Sequence, residues 1–404
     1  MTLDLAPAAT TSPYLTVEHE AFRESVRAFL HREMAPHAAQ WERERTMPRP
    51  VWRKLAGQGL LGLQHARAVG GEEKDIFHSV VFLEELGRLG FGGVRFAVAL
   101  HAYMATSYLA SDGSHALKER FLRPAVAGEL LAGLAITEPQ AGSDLSRLSA
   151  TAREEGDELV VDGEKRFVVN GGFADFFVTA VRVGEAHNGT GPAAGGARRD
   201  LSLCVIERER PGVHVSANDC VSWRASAMAD VSFQGVRIPR ANLIGRRNGG
   251  FVQIMKNMQL ERLAAGLTAV GDAAHCLEIT WRHLKRRGAF DATLSTRQAL
   301  RHRMADLLTE VEATRQLAHY AAWSYARDPL SITACSMAKL KATEVARTVA
   351  EECQRLHGAD GFREGAALVQ IVHDAQAATV AAGASEVMRD IVVQSGYEES
   401  HDHR

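Results

Sequence analysis

Ala135-Ile-Thr-Glu-Pro-Gln-Ala-Gly-Ser-Asp144 sits where the chain changes its period. Its Gly, Ser, Thr and Asp residues offer main-chain N–H groups and hydroxyls to a polar ligand, and the same residues serve equally well in a plain turn. Upstream, residues 16–133 carry apolar side chains at helical spacing: Phe22, Val26, Phe29 and Leu30, then Phe82, Leu83, Leu86 and Leu89. Downstream, residues 134–245 break into short β-rich runs, ELVVDGEKRFVV, FFVTAVRV, LSLCVIE and ADVSFQGVRI, punctuated by Gly, Asp and Pro. Asp162-Gly163, between two valine-rich runs, predicts a hairpin turn. The Gly- and Ala-rich stretch 184–200 reads as a flexible surface excursion. Helical spacing then returns near 252–285, 295–327, 331–357 and 365–394, lengths that suit an antiparallel bundle. The expected architecture is α+β: an N-terminal helical domain over 1–133, a middle β-sheet domain over 134–245 and a C-terminal four-helix bundle over 246–404.

A chain of 404 residues, 46% hydrophobic and 24% charged, has material for a large core without covalent staples. Lys and Arg number 47 against 49 Asp and Glu, so no long-range field would hold nucleic acid or an anionic membrane. The five cysteines, Cys204, Cys220, Cys276, Cys335 and Cys353, form no Cys-x-x-Cys pair and have no His at metal spacing. That argues against a disulfide framework or a zinc site and suits a reducing cytoplasm. No apolar run approaches the roughly 18 residues of a membrane span, and MTLDLAPAATTSPYL has no signal-peptide pattern. His401-Asp-His403 has metal-like spacing but lies in a terminal stretch where disorder is the expectation, so no metal is expected.

No Gly-x-Gly-x-x-Gly turn links a strand to a helix; Gly189–Gly195 has the wrong spacing and leads into another strand. A dinucleotide would have to be held in some other way. The segment Ala135–Asp144 resembles the TEPxAGSD signature of the acyl-CoA dehydrogenases, and the resemblance runs on through most of the chain. GEKRFVVNGG (163–172) is similar to the family's second flavin-contacting segment, and VSWRASAMADVSFQGVRIPRANLIG (221–245) to the closing strands of its middle domain. NMQLERLAAG (257–266), RRGAF (286–290) with Gln298, MAKLKATEVA (337–346), RLHGADGF (355–362) and GASEVMRDI (383–391) follow in the family's order.

The resemblance implies an FAD enzyme that desaturates an acyl thioester, carried by coenzyme A or by a carrier protein. It also implies a homotetramer or homodimer and an electron-acceptor protein. Carried over position by position, FAD contacts fall on Leu134, Ile136, Thr137, Gly142, Ser143, Phe167, Val169, Arg287, Phe290, Gln298, Arg355, Gly358, Ala384 and Glu386. Substrate contacts fall on Ser143, Gln259 and Arg262. The family places its base at one of two positions. Before the Gly of the last helix this chain has Ala381-Ala382-Gly383, with no carboxylate, although the Ala382 backbone N–H remains a donor for the thioester carbonyl. The long-chain and isovaleryl-type position is a Glu-Arg-Leu, here Glu261-Arg262-Leu263, which implies Glu261 as the base. Met255, Met258, Leu260 and Leu263 around it form an apolar setting that strengthens a carboxylate base; the plain alternative is a solvated helix Glu beside an Arg.

The chain departs from the family pattern at Val169, where a hydroxyl residue is usual, at Arg355 for a Gln, at Ala359 for a Gly, at His373 for an Arg and at Ala384 for a Thr. Fewer polar contacts imply weaker FAD binding than is usual. Arg355 reads either as a phosphate contact or as a surface ion pair. Two other readings stand beside dehydrogenation: a non-redox lyase, isomerase or cyclase with little or no flavin, and a non-catalytic assembly subunit.

Overall fold

The computed structural model describes residues 12–184 and 200–398. Residues 185–199 of the Gly- and Ala-rich stretch, and His401–His403, lie outside the described residues. Helices α1 (Val17–Glu33), α2 (Ala35–Glu44), α3 (Arg49–Gly57), α4 (Ile76–Gly87), α5 (Gly92–Ala99), α6 (Thr106–Asp112), α7 (His115–Leu117) and α8 (Arg123–Val126) come first. Strands β1 (Ala132–Ala135), β2 (Thr151–Glu155), β3 (Glu158–Val168), β4 (Phe176–Val183), β5 (Leu201–Glu207), β6 (Val213–Ala217), β7 (Ala229–Pro239) and β8 (Leu243–Ile244) follow. Then come α9 (Gly250–Arg286), a small hairpin of β9 (Gly288–Ala289) and β10 (Ala292–Thr293), α10 (Gln298–Arg327), α11 (Ile332–Leu356), α12 (Ala367–Ala378) and α13 (Ser385–Val393). The pattern is α+β, as expected.

Two compact units emerge: one joins the residues up to Pro36 with Ile76–Arg95 and Arg262 onward, the other His37–Asp75 with Phe96–Glu261. In the first, α1 packs on α4, α4 on α10, and α11 against α10, α12 and α13. Val26, Phe29 and Leu30 form the buried stripe of α1, and α4 is buried along almost its whole length. Gly87 and Gly271 permit a close approach: a Cβ on Gly87 would lie 2.2 Å from the Thr268 carbonyl oxygen, and one on Gly271 2.3 Å from that of Glu84. Glu84 and Glu85 are buried there and receive Arg23 at 3.0 and 3.2 Å, while His319 approaches Glu84 at 2.8 Å.

The second unit is built on a sheet of order β6-β7-β3-β2-β4-β5-β8, with β1 added in parallel to β4. Leu159, Val161, Phe177, Ile206, Val231 and Phe233 fill its core. The hairpin expected at Asp162-Gly163 is instead continuous strand. The chain reverses at Gly156, whose φ of 62° is the left-handed value a tight turn needs, and β2 pairs with β3 around it. Gly163 sits at a β-bulge with φ 147°, where an added Cβ would come 2.6 Å from the Ala150 Cβ. Asp162 accepts a hydrogen bond from the Gly235 N–H at 2.7 Å rather than closing a turn. The expected helix over 365–394 is two helices, because Ala382 (φ 52°) and Gly383 (φ 102°) leave the right-handed region and break it.

Candidate active site

In the unit that carries the sheet, the Ala135–Asp144 segment is laid against the end of β3. The Arg166 N–H donates to the Thr137 carbonyl at 2.8 Å, and Lys165 Nζ donates to the Ile136 carbonyl at 3.2 Å. Lys165 has no exposed surface and also meets Glu138 Oε1 at 2.6 Å. Glu138 in turn accepts from the Ser149 and Ala150 N–H groups, at 2.6 and 3.0 Å. Burial and then the opposing Glu138 carboxylate act on Lys165 in opposite senses, and burial prevails, leaving its pKa lowered. This stitch brings Leu134, Ile136 and Thr137 alongside Phe167 and Val169. Gly142 and Ser143 lie exposed in the following bend, and a Cβ on Gly142 would meet nothing within 4 Å. Phe167 is 48% exposed on a backbone of φ 54°, with Asp230 accepting from its N–H at 3.1 Å. A bulky residue in the left-handed region is strained, and an aromatic ring so presented is a platform for a planar ligand. Val169 is buried.

Glu261 lies in the same unit, on α9, only 7% exposed. The Tyr108 phenol donates to its Oε1 at 2.8 Å, and Asn257 Nδ2, one turn earlier on the helix, donates to the same oxygen at 3.0 Å. Asn257 also reaches the Met104 carbonyl at 3.3 Å. Tyr108 follows a π-helical turn, Leu100–Ala105, in which the Thr106 N–H bonds five residues back to the His101 carbonyl. That turn is pinned from within. The Ala132 N–H donates to His101 Nδ1 at 3.1 Å and His101 Nε2 donates to the Ala125 carbonyl at 3.0 Å, which fixes the neutral ring with its proton on Nε2. Burial drives the His101 pKa down to about 4. Gln259 is buried and donates to the Met255 carbonyl on its own helix at 3.0 Å.

In the other unit, Arg262 is buried and donates to Ser336 Oγ at 3.2 Å. Arg287 is exposed at the end of α9, and its carbonyl accepts from the Leu294 N–H across the β9–β10 hairpin. Phe290 stands at the hairpin tip, 91% exposed with φ 53°. Arg297 fastens that tip, donating to the Ala289 and Phe290 carbonyls at 2.7 and 3.0 Å, and Gln298 opens α10 beside it. A second aromatic ring held in the open next to an exposed Arg suits a dinucleotide, with its flat rings and its pyrophosphate. Each exposed aromatic platform, Phe167 in the one unit and Phe290 in the other, by itself suits a flat ring of FAD. Arg355 pairs with Glu352 at 2.7 Å on α11, and Gly358 is exposed just beyond. Ala382 precedes Gly383 in the break before α13; Ala384 is the N-cap of that helix and Glu386 is exposed in its first turn.

Sequence reasoning missed four residues that shape these places. Tyr108 lies 153 residues from Glu261 and carries no local signal. Asn257 stands four residues before Glu261, the spacing that puts two side chains on one helix face, and that signal was readable. Arg297 is the third. Lys339 on α11 is the fourth: it has no exposed surface and donates to the Thr379 and Gly383 carbonyls, at 3.1 and 2.5 Å, on either side of Ala382. Burial, and then Arg262 nearby, lower its pKa to about 8.

Among the described residues no helix is long and apolar enough to cross a membrane. The models of the acyl-CoA dehydrogenase N-terminal, middle and C-terminal domains match residues 16–129, 133–236 and 248–397. The long-chain specific acyl-CoA dehydrogenase of Sus scrofa mitochondria is 32% identical over 93% of this chain and 86% of its own length. The mitochondrial isovaleryl-CoA dehydrogenase of Pongo abelii is 28% identical over 94% of this chain and 88% of its own. Among solved structures, an acyl-CoA dehydrogenase from Geobacillus kaustophilus superposes with a TM-score of 0.88 at 33% identity, covering 96% of this chain and all of that one.

Proposed function

The chain belongs to the acyl-CoA dehydrogenase family, and on that footing we propose that Glu261 is the base that removes the α-proton of an acyl-CoA. The protein is an oxidoreductase of the acyl-CoA dehydrogenase type with FAD as cofactor, which sets aside the non-redox and assembly readings. The observation that carries the assignment is the environment of Glu261: a carboxylate 7% exposed and held by two donors on one oxygen. A solvated surface Glu would have neither feature. Bound FAD supplies the acceptor for the hydride that leaves the β-carbon as the α-proton is lost.

Each remaining role is held by a residue suited to it. The Ala382 N–H is the donor for the thioester carbonyl oxygen as it gains negative charge, a task that needs no side chain. Ser143, Gln259 and Arg262 are the substrate contacts. Leu134, Ile136, Thr137, Gly142, Ser143, Phe167 and Val169 are the FAD contacts that belong to the sheet unit, and Arg287, Phe290, Gln298, Arg355, Gly358, Ala384 and Glu386 those that belong to the helical unit. The domain division at 133/134 and 245/246, a homodimer or homotetramer, a cytoplasmic location and a separate protein that reoxidises the cofactor belong to the same reading. Coenzyme A and a carrier protein present the same thioester, and the names of the relatives favour coenzyme A.

The test is Glu261→Gln, which keeps shape and removes the proton acceptor. Turnover and α-proton exchange should both fall by at least about a hundredfold with acyl-CoA binding retained. Near-normal turnover in that variant would send the search to another carboxylate.

A further inference from the structure

We propose that Tyr108 is a positioning residue for this reaction, its phenol holding Oε1 of Glu261 so that the carboxylate keeps one orientation and stays ionised; the inference rests on Glu261 being the base. Tyr108 is 1% exposed, and its hydroxyl lies 2.8 Å from Oε1. Burial, and then the Glu261 charge, push its pKa well above 10, so the phenol keeps its proton and donates throughout the working range of pH. Asn257 donates to the same oxygen from within the helix. Burial alone favours the neutral acid, whereas donors aimed at a carboxylate oxygen favour the anion. Tyr108 therefore favours the ionised form of a carboxylate that sits in a buried place.

The approach of Tyr108 is itself built. The π turn at Leu100–Ala105 is closed by the Thr106 N–H and by Thr106 Oγ1, at 2.7 Å, both on the His101 carbonyl. His65 meets the same Thr106 hydroxyl at 3.2 Å. Wide turns of this kind are frequent at functional sites. Tyr108 comes two residues after Thr106, on α6. Tyr108 is a titratable group bonded to Glu261, and Arg262, next in sequence, donates to Ser336.

Tyr108→Phe removes the hydroxyl and keeps the ring. With the FAD-loaded enzyme and an acyl-CoA, kcat should fall about tenfold with KM changed less than about twofold. The acidic limb of the kcat profile should move up by about one pH unit, because a carboxylate that loses a donor is protonated at higher pH. A packing role would leave that limb in place. Incorporating 3-fluorotyrosine at 108, a stronger donor of nearly the same size, should move the limb the other way, and it keeps the question answerable if Tyr108→Phe fails to fold. Unchanged limbs in the folded variants, with Glu261→Gln inactive, would overturn the role of Tyr108 alone. Full turnover in Glu261→Gln would overturn the base assignment beneath it.

Discussion

Lys165 and Lys339 have equal burial and opposite surroundings. Both are sealed from solvent, and each ties down a stretch of main chain. Lys165 does so with a carboxylate at 2.6 Å, so that charge meets charge. Lys339 donates to carbonyl dipoles, and burial and Arg262 outweigh the more weakly acting Glu344 and Glu386 carboxylates, so its pKa is lowered. A buried ion pair is costly to break from one side, whereas a buried ammonium bonded to carbonyl dipoles, with carboxylates only at a distance, is less well compensated. The first arrangement holds the Thr137 segment on the sheet as a fixed structural stitch; the second holds the Ala382 turn with a group close to losing its proton.

The largest expected effect separates the two directly. Lys165→Met strands Glu138 without a cation in the core, and unfolding in denaturant should show a loss of about 3–5 kcal/mol. A loss below about 1 kcal/mol would put both lysines in one class. Lys339→Met should cost less stability, about 1–2 kcal/mol, since two bonds are lost while a less well compensated charge leaves the interior. Its main effect should be on turnover, down about ten- to a hundredfold as Ala382 is released, short of the loss from deleting an oxyanion donor outright. Wild-type turnover in that variant would detach the turn from the reaction.

A pH scan sharpens the contrast. The folded pKa of Lys339 is about 8 against an ordinary value of 10.5. Below pH 8 both folded and unfolded chains hold that proton, and the destabilisation from the buried charge is fully present. Between about pH 8 and 10.5 the unfolded chain binds more protons than the folded one, so the stability contributed by this residue rises with pH. The stability difference between wild type and Lys339→Met should therefore grow in favour of wild type across that window, and a flat difference would refute the lowered pKa. The smallest effect belongs to the strand that Lys165 secures: Val169→Thr, restoring a hydroxyl, should tighten FAD by about 0.5–1.5 kcal/mol in a titration of apoprotein. No change would count against the expectation that the missing hydroxyl weakens FAD binding.

Much of this was legible in the sequence, and the limits have physical causes. The β-rich runs ELVVDGEKRFVV, FFVTAVRV, LSLCVIE and ADVSFQGVRI became β3, β4, β5 and β7 because alternation and β-branching are local properties. Asp162-Gly163 deceived because its composition suits a turn as well as a bulge, and only the close approach of Ala150 decides between them. The broken last helix was hidden for a related reason: Ala382 adopts a left-handed φ that alanine gives no warning of. Glu261 could be picked from its apolar neighbours and the family motif, but its partner Tyr108 could not, since pairing across 153 residues leaves no periodic trace. Lys339, within an amphipathic helix, reads as a solvated position until the fold closes over it.

The π turn before α6 has a bookkeeping consequence for any related chain. Such a turn holds one residue more than an α-helical turn, and each residue advances an α-helix by about 100°. The wider turn absorbs that advance, so a relative lacking one residue within 100–105 would close the turn as ordinary α-helix and keep the faces of Thr106 and Tyr108. A single gap in that six-residue window would therefore remove the wide turn while leaving the phenol on the side of the Glu261 carboxylate.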